Sequence, residues 1–313
     1  MRVATLTMNP AIDGSCEAEQ VFPTHKIRTH DERYDPGGGG INVARVLARL
    51  GHDLSPAAVE VIYLAGGATG ALLDELLDQH GLERFRIPIR DHTRQSLAVY
   101  ERVSGKEFRF VPDGPLIREA EWRAAFDRVA GLDHGWLVAS GSLPRGVPVD
   151  FYARLAAGLA GRDVRLVVDT SGPALAAALE QGGLYLVKPS LGEFETLVGR
   201  KLDGAQDVGE AAMDMVRAGK AAHVAVSMGH EGAVLAHAGG VIVRPALDVP
   251  VKSATGAGDS FVGGMVHGFL RDEDAAGAFR WGMAAGTAAV LSPGTDLCHP
   301  EAVRQMWEVL GEL

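Results

Sequence analysis

Short apolar runs recur along the chain, at residues 1–8, 59–65, 136–139, 164–169, 185–188 and 223–227. Runs of this length bounded by polar residues have the character of strands buried on both faces. Most are separated by stretches with helical spacing of the apolar positions; Val262, Met265, Val266, Phe269 and Leu270 are the clearest case. This alternation predicts an α/β fold with a mostly parallel sheet and helices on both faces, organised as one domain over residues 1–313. In such folds ligands sit beyond the carboxyl ends of the strands, which points to residues 140–144, 188–193 and 227–232. Two stretches break the rhythm. Residues 12–34 and 95–110, the latter with a turn at Ser104-Gly105, read as hairpin strands of a small projecting β-sheet. Such a sheet exposes edges and an apolar face, here including Val21, Ile27, Leu97 and Val99, which needs a cover.

Two glycine-rich passages each open a helix. Thr255-Gly256-Ala257-Gly258-Asp259-Ser260-Phe261 leads into the apolar stretch above. A turn of this kind leaves backbone N–H groups unpaired at the positive end of a helix dipole, a place for a transferring phosphate or another anion. Asp259 is out of place among donors meant for an anion unless it meets something else, such as a hydroxyl whose proton it accepts. That pairing suits a kinase acting on an alcohol, although an Asp in a first helical turn and a Gly-x-Gly entry turn also occur for structural reasons alone. The second passage, Asp35-Pro36-Gly37-Gly38-Gly39-Gly40-Ile41-Asn42, runs into a helix that ends near Leu50-Gly51. Two loops that expose their backbone suggest two ligands.

Composition narrows the chemistry. The 313 residues are 47% hydrophobic, enough for a substantial core, and no apolar run reaches membrane-spanning length. A formal charge of −10 without a basic block speaks against nucleic acid as a partner. The first residues read as a strand, not a signal peptide, and two cysteines make no disulfide framework, so a cytoplasmic enzyme is expected. Gly105-Lys106 and Gly219-Lys220 are followed by Glu107 and Ala221, so there is no P-loop. Val43 and Phe261 stand where a dinucleotide fingerprint needs its third glycine. His-Glu-x-x-His and Gly-x-Ser-x-Gly are also missing.

In order along the chain, Asp13, the 37–45 loop and helix, Thr93-Arg94-Gln95, Ser140 to Pro144, Val187-Lys188-Pro189, Ser227-Met228-Gly229 with Gly232, and Gly256-Ala257-Gly258-Asp259 resemble the ribokinase-like, or pfkB, sugar kinases. Within that family the Gly-Gly-Gly-Gly-Ile-Asn run is more similar to bacterial 6-phosphofructokinases than to the Gly-Gly-Lys-Gly variant of 1-phosphofructokinases and tagatose-6-phosphate kinases. The resemblance implies an ATP-dependent kinase of a phosphorylated ketose, foremost fructose 6-phosphate, with those two kinases as alternatives. A weakly active sugar-phosphate or nucleotide-binding regulator is the alternative of another class. By the same resemblance Asp259 is the general base, and Gly256, Ala257 and Gly258 form the anion hole. Asp13, Gly38, Gly39 and Asn42 hold the sugar, with Ser142 near its phosphate. Arg94 fits that phosphate on its own chemistry, since a guanidinium meets two oxygens at once.

The resemblance further implies a nucleotide side of Lys188, Ser190, Ser227, Gly229, Gly232, Met283 and Thr287. Glu193 would organise Mg2+ through water. The family's Asn-x-x-Glu element has Ser190 in its first position here, a shorter polar group. A K+ site would draw mainly on main-chain oxygens of Ser253, Thr255, Ala289, Ser292 and Gly294, with Asp296 where the similar phosphofructokinase has Arg. Lys26 and Arg28 lie on the projecting segment, whose basic residues in similar enzymes reach the neighbouring subunit's site. The implied assembly is a homodimer whose β-sheet lids pack together over the active sites.

Overall fold

The chain's continuous apolar runs become strands covered on both faces. The computed structural model describes residues 2–51 and 59–311. Strands β1 (Val3–Thr7), β4 (Val59–Ala65), β5 (Glu83–Pro88), β8 (His134–Ser140), β9 (Asp163–Asp169), β10 (Leu184–Val187), β11 (Ala221–Ser227), β12 (Ala233–His237) and β13 (Gly240–Arg244) form one nine-stranded sheet. Its order is β13-β12-β11-β10-β9-β8-β1-β4-β5, parallel from β5 to β11 and antiparallel over the last two strands. Successive residues alternate between two cores. Trp136 and Val138 face one side with helices α1 (Gly39–Leu50), α2 (Gly67–Asp78), α8 (Ala257–Leu270), α9 (Ala275–Val290) and α10 (Pro300–Val309). Leu137 and Ala139 face the other with α3 (Glu119–Ala130), α4 (Phe151–Leu159), α5 (Gly172–Gln181), α6 (Leu191–Val198) and α7 (Gly204–Arg217). Two-sided burial is why these runs lack a polar face.

The two stretches that break the rhythm form a separate four-stranded sheet, in the order β3-β2-β6-β7, from β2 (Ala11–Ala18), β3 (Thr29–Gly37), β6 (Arg94–Glu101) and β7 (Lys106–Phe110). Within the 12–34 stretch the first strand stops at Ala18 and the second begins at Thr29, so residues 19–28 lie outside any strand. Val21 and Ile27 from this connection pack on Cys16, Ala18, Val99 and Phe108. Val99 is therefore part of the lid's own small core, not of an open face. What stays exposed is the next cross-strand row of the lid, Tyr34, Leu97 and Phe110, with the buried Gly14 completing the pairing between Tyr34 and Leu97.

The glycine run before α1 follows from how closely the helix start approaches the sheet. Gly38 has φ 112°, which L side chains rarely adopt. A Cβ on Gly40 would lie 2.7 Å from Leu6 O and 2.6 Å from Thr7 Oγ1, and these belong to a buried strand that has no room to move. In an ordinary helix Gly→Ala is stabilising by about 1 kcal/mol. Gly40→Ala is expected to reverse that sign and destabilise by about 1–3 kcal/mol, the usual cost of overpacking. Urea melts of the two proteins measure it; a variant more stable than wild type would mean that β1 and α1 separate freely.

Candidate active site

A cavity of about 180 Å³ opens between the lid and the carboxyl ends of the central strands, lined by Asp13, Gly38, Gly39, Asn42, Arg94 and Asp259 among others. The sheet topology explains the convergence. β2 leaves β1 and carries Asp13 onto the lid, while α1 starts beside it and α8 brings the turn at Gly256. Gly37 leaves space for the Asp13 carboxylate, since a Cβ there would come within 1.9 Å of Asp13 Oδ2. Burial pushes the Asp13 carboxyl up, an effect that Arg94, Ser96, Arg45 and Arg109 oppose.

Asp259 sits in the first turn of α8, partly open to the cavity and enclosed by protein elsewhere. Asn42 Nδ2 donates to its Oδ2 at 2.8 Å. Burial, then the neighbouring charge of Asp169, pushes its carboxyl up to about 7, against the lowering effects of Asn42 and Lys188. A carboxylate with a pKa near neutrality is well matched to taking a hydroxyl proton. Ahead of it, Gly256 is left-handed at φ 74°, and a Cβ there would lie 2.6 Å from Leu297 Cδ2. Ser260 N closes on Gly256 O at 2.8 Å, which starts the helix ladder; ahead of it Ala257 N makes only a long bond to Ala254 O at 3.5 Å, and the other first amides are those a helix N-terminus leaves without an intrahelical partner.

Arg94 lines the cavity, but its guanidinium is also engaged: Nη1 donates to Pro112 O and Nη2 to Asn9 O, both at 2.9 Å. Its Nε is buried without a partner among the described residues. Ser142 stands behind this wall, its Oγ accepting from Asn9 Nδ2 at 3.1 Å, and does not line the cavity itself. Lys26 is exposed in the 19–28 connection and is not brought to the cavity of its own chain. Arg109, which the sequence reading left out, is exposed on β7 and lines the cavity opposite Ala98. Only the pairing of β6 with β7 reveals it; nothing in its local sequence does.

Of the residues expected to meet the nucleotide, Lys188 follows β10, and its Nζ lies 3.4 Å from Asp169 Oδ1 and 3.3 Å from where a Gly258 Cβ would be. Burial opposes the Lys188 charge, yet Asp169, Asp259 and Glu193 together hold the ammonium above its usual value. Asp169 does not shift as a simple ion-pair partner would. Burial outweighs Lys188 and pushes it up, and the like charge of Glu193 adds to the rise. The three carboxyl groups around it keep the ammonium charged. Asp169 was another omission of the sequence reading, although its place as the acidic last residue of a strand pointing at the site was a usable signal.

Ser190 caps α6. Its N and Oγ both donate to Glu193 Oε2 at 2.8 Å, and its Oγ accepts from Glu193 N at 3.5 Å. The serine in the family's Asn position thus forms a capping box with Glu193. One carboxylate oxygen of Glu193 is taken up in this way, and the other is the one suited to a Mg2+-bound water. Ser190 and Ser227 form a bridge between the ends of β10 and β11, and Gly229 and Gly232 follow with φ 62° and 104°. A Cβ on Gly232 would meet Arg244 O at 2.1 Å. Met283 is buried in the core on the α9 side, while Thr287 keeps partial exposure one turn on.

The residues proposed for K+ offer hard oxygens. Thr255 Oγ1 is buried without a partner among the described residues, which fits a cation ligand. Ser253 Oγ accepts from Thr255 N at 3.1 Å, Ser292 Oγ donates to Leu297 O, and Ala289 O accepts from Ser292 N. Gly294 is left-handed in the same loop. Asp296, the departure from the family pattern, is tied to Arg49 at 2.8 Å and His299 at 2.9 Å.

The model of the pfkB family of carbohydrate kinases matches residues 7–302. The ATP-dependent 6-phosphofructokinase isozyme 2 of Escherichia coli is 38% identical over 311 residues, 99% of each chain. A 1-phosphofructokinase of Rhodobacter capsulatus is 33% identical over 96% of this chain and 94% of its own. Crystal structures of phosphofructokinase-2 from Escherichia coli, one in complex with fructose-6-phosphate and one with potassium, match with TM-scores of 0.92 and 0.93 at 37% and 38% identity, each covering 99% of both chains.

Proposed function

The chain belongs to the pfkB family of carbohydrate kinases, and on that footing we propose that it transfers the γ-phosphate of ATP to the 1-hydroxyl of fructose 6-phosphate. The observation that carries the reading is Asp259, whose carboxyl is raised toward neutrality at the foot of a cavity that also holds two arginines. Asp13, Asn42 and the amides of Gly38 and Gly39 hold the ketose hydroxyls, and Arg94 and Arg109 receive its phosphate. Asp259 accepts the proton of the 1-hydroxyl as its oxygen attacks phosphorus, and the amides at Gly256, Ala257 and Gly258 take the charge of the transferring group. Lys188 lies beside that turn and adds a positive charge toward the leaving phosphates. Ser190, Ser227, Gly229, Gly232, Met283 and Thr287 frame ATP.

Mg2+, held through water by Glu193, would neutralise phosphate charge. K+ at Ser253, Thr255, Ala289, Ser292 and Gly294 would steady the turn that carries the anion hole. Among the described residues no helix is long and apolar enough to cross a membrane, and Cys16 and Cys298 are both free thiols, which agrees with a cytoplasmic enzyme.

A coupled assay with ATP and Mg2+ over fructose 6-phosphate, fructose 1-phosphate, tagatose 6-phosphate and free sugars tests the reading. The highest kcat/KM is expected for fructose 6-phosphate. A preference for fructose 1-phosphate or tagatose 6-phosphate would reassign the substrate, and nucleotide binding without turnover on any of them would make the chain a binding protein.

The exposed row Tyr34, Leu97 and Phe110 supports a homodimer formed through the lids, which would cover it. Leu97→Asp is expected to shift sedimentation to the monomer and to raise KM for the sugar, because Leu97 also borders the cavity. A fully active wild-type monomer at assay concentration would remove the shared lid.

A further inference from the structure

Arg45 is the largest charged side chain buried in the main body, 1% exposed, and none of the roles above uses it. Its Nη2 donates to Asp35 Oδ1 at 2.8 Å, and its Nη1 donates to Pro36 O at 3.0 Å and to Asn42 Oδ1 at 3.3 Å. Asp35 and Pro36 end the lid strand β3, and Asp35 Oδ2 accepts from Thr295 Oγ1 at 2.7 Å. Asn42 and Arg45 are three residues apart on α1, so they share one face of the helix. We propose that Arg45 is a positioning residue for phosphoryl transfer: it fixes which end of the Asn42 amide faces Asp259 and ties that bond to the seat of the lid strand.

The chemistry of the three groups leaves one arrangement. A guanidinium only donates, and an ionised carboxylate only accepts. An amide placed between them satisfies both with its oxygen on Arg45 and its nitrogen on Asp259, as found, with Asn42 Nδ2 donating to Asp259 Oδ2 at 2.8 Å. Turned over, the amide would set oxygen against carboxylate and NH2 against guanidinium. With Oδ2 held, Asp259 presents its other oxygen to a hydroxyl. Stability is a poor account of the arginine, because a buried ion pair is often matched by apolar residues of similar volume. The groups facing Asp259 are Asp13 on β2, Asp169 on β9, Lys188 after β10 and Asn42. Those around Arg45 are Asp35, Arg49 and Asp296.

The inference rests on Asp259 being the proton acceptor, and its test separates it from that reading. A double-mutant cycle uses Asn42→Ala and Arg45→Lys; the lysine keeps a charge beside Asp35 but lacks the fork that reaches three acceptors. Arg45→Lys is expected to lower kcat about 10–100-fold in the wild-type background, with KM for ATP nearly unchanged. In the Asn42→Ala background it is expected to cost less than about threefold more, because the residue through which it acts is already gone. Arg45→Met combined with Asp35→Asn, which leaves no unpaired charge, repeats the cycle should the lysine variant fold poorly. Equal losses in both backgrounds, or wild-type kcat in a folded Arg45→Lys protein, would overturn the proposal.

A second readout needs no turnover. The isotope-labelled carboxyl resonance of Asp259, assigned with Asp259→Asn, is expected to titrate about 0.5–1 unit higher in Arg45→Lys as the donor on its charged form loosens. If the wild-type protein leaves fructose 6-phosphate untouched while that midpoint still moves, the substrate reading falls and the link stands. If fructose 6-phosphate turns over and both midpoint and cycle stay put, the link alone falls.

Discussion

Asp259→Asn lowers kcat by about 10² to 10⁴, the range for loss of a general base, with KM for ATP close to wild type. In the wild-type enzyme kcat/KM falls as pH drops through about 7, where the free carboxyl takes up its proton, and that limb is absent from the residual activity of the variant. The same substitution stabilises. The carboxyl is raised in the folded protein from 3.8 to about 7, so the folded state binds this proton more tightly than the unfolded chain does. Its contribution to stability is complete below about pH 4 and is lost as pH rises through about 7. An asparagine never ionises and keeps it, so at pH 8 the variant is expected to gain on the order of 2–4 kcal/mol, shrinking toward zero at acid pH. Thermal melts across pH together with steady-state kinetics check both halves. Near-normal turnover in the folded variant would remove Asp259 as the base, and a stability difference independent of pH would mean that its carboxyl titrates at an ordinary value.

Arg109→Ala raises KM for the phosphorylated ketose by about 10–100-fold, the worth of a charge-assisted hydrogen bond, while kcat/KM for the unphosphorylated sugar changes little. Among the described residues no ion pair or hydrogen bond engages this guanidinium, so its removal leaves no partner stranded inside the protein. Arg94→Ala behaves differently. It strips donors from Asn9 O and Pro112 O as well as from a phosphate, and is expected to weaken both sugars, the phosphorylated one more. A phosphorylated and an unphosphorylated sugar losing equally on Arg109→Ala would take Arg109 out of the phosphate site.

Periodicity carried the main sheet because strands buried on both faces show as uninterrupted apolar runs, and the carboxyl ends of those runs held Lys188, Ser190 and Ser227 where the fold rule places ligands. The lid's existence was also legible, though not its boundary. Residues 19–28 carry Val21 and Ile27 at apolar positions but fold over Val99, and no local pattern distinguishes a strand from a flap that lands on one. Asp259 and the glycines were readable because each has a local reason, a turn or a close approach. Asp169, as the acidic end of a strand, and Arg45, one helical turn from Asn42, had local signals that went unused, whereas Arg109 reaches the site only through the pairing of β6 with β7, a register of which a single sequence holds no trace.

The placement of β1 also governs the order in which this protein can be assembled. Val3 pairs with Val59 on one side and with Trp136 on the other, and Ala11 pairs with Arg94 in the lid. The first strand made must therefore wait for partners synthesised much later, a pattern of distant pairings that slows folding and leaves strand edges open meanwhile. Asp259 arrives later still, on a helix that packs against α1. On the proposed reading, a growing chain thus owns the glycine loop meant for the sugar well before it owns the base, and an intermediate lacking α8 would have no means of deprotonating the sugar, however well it held it.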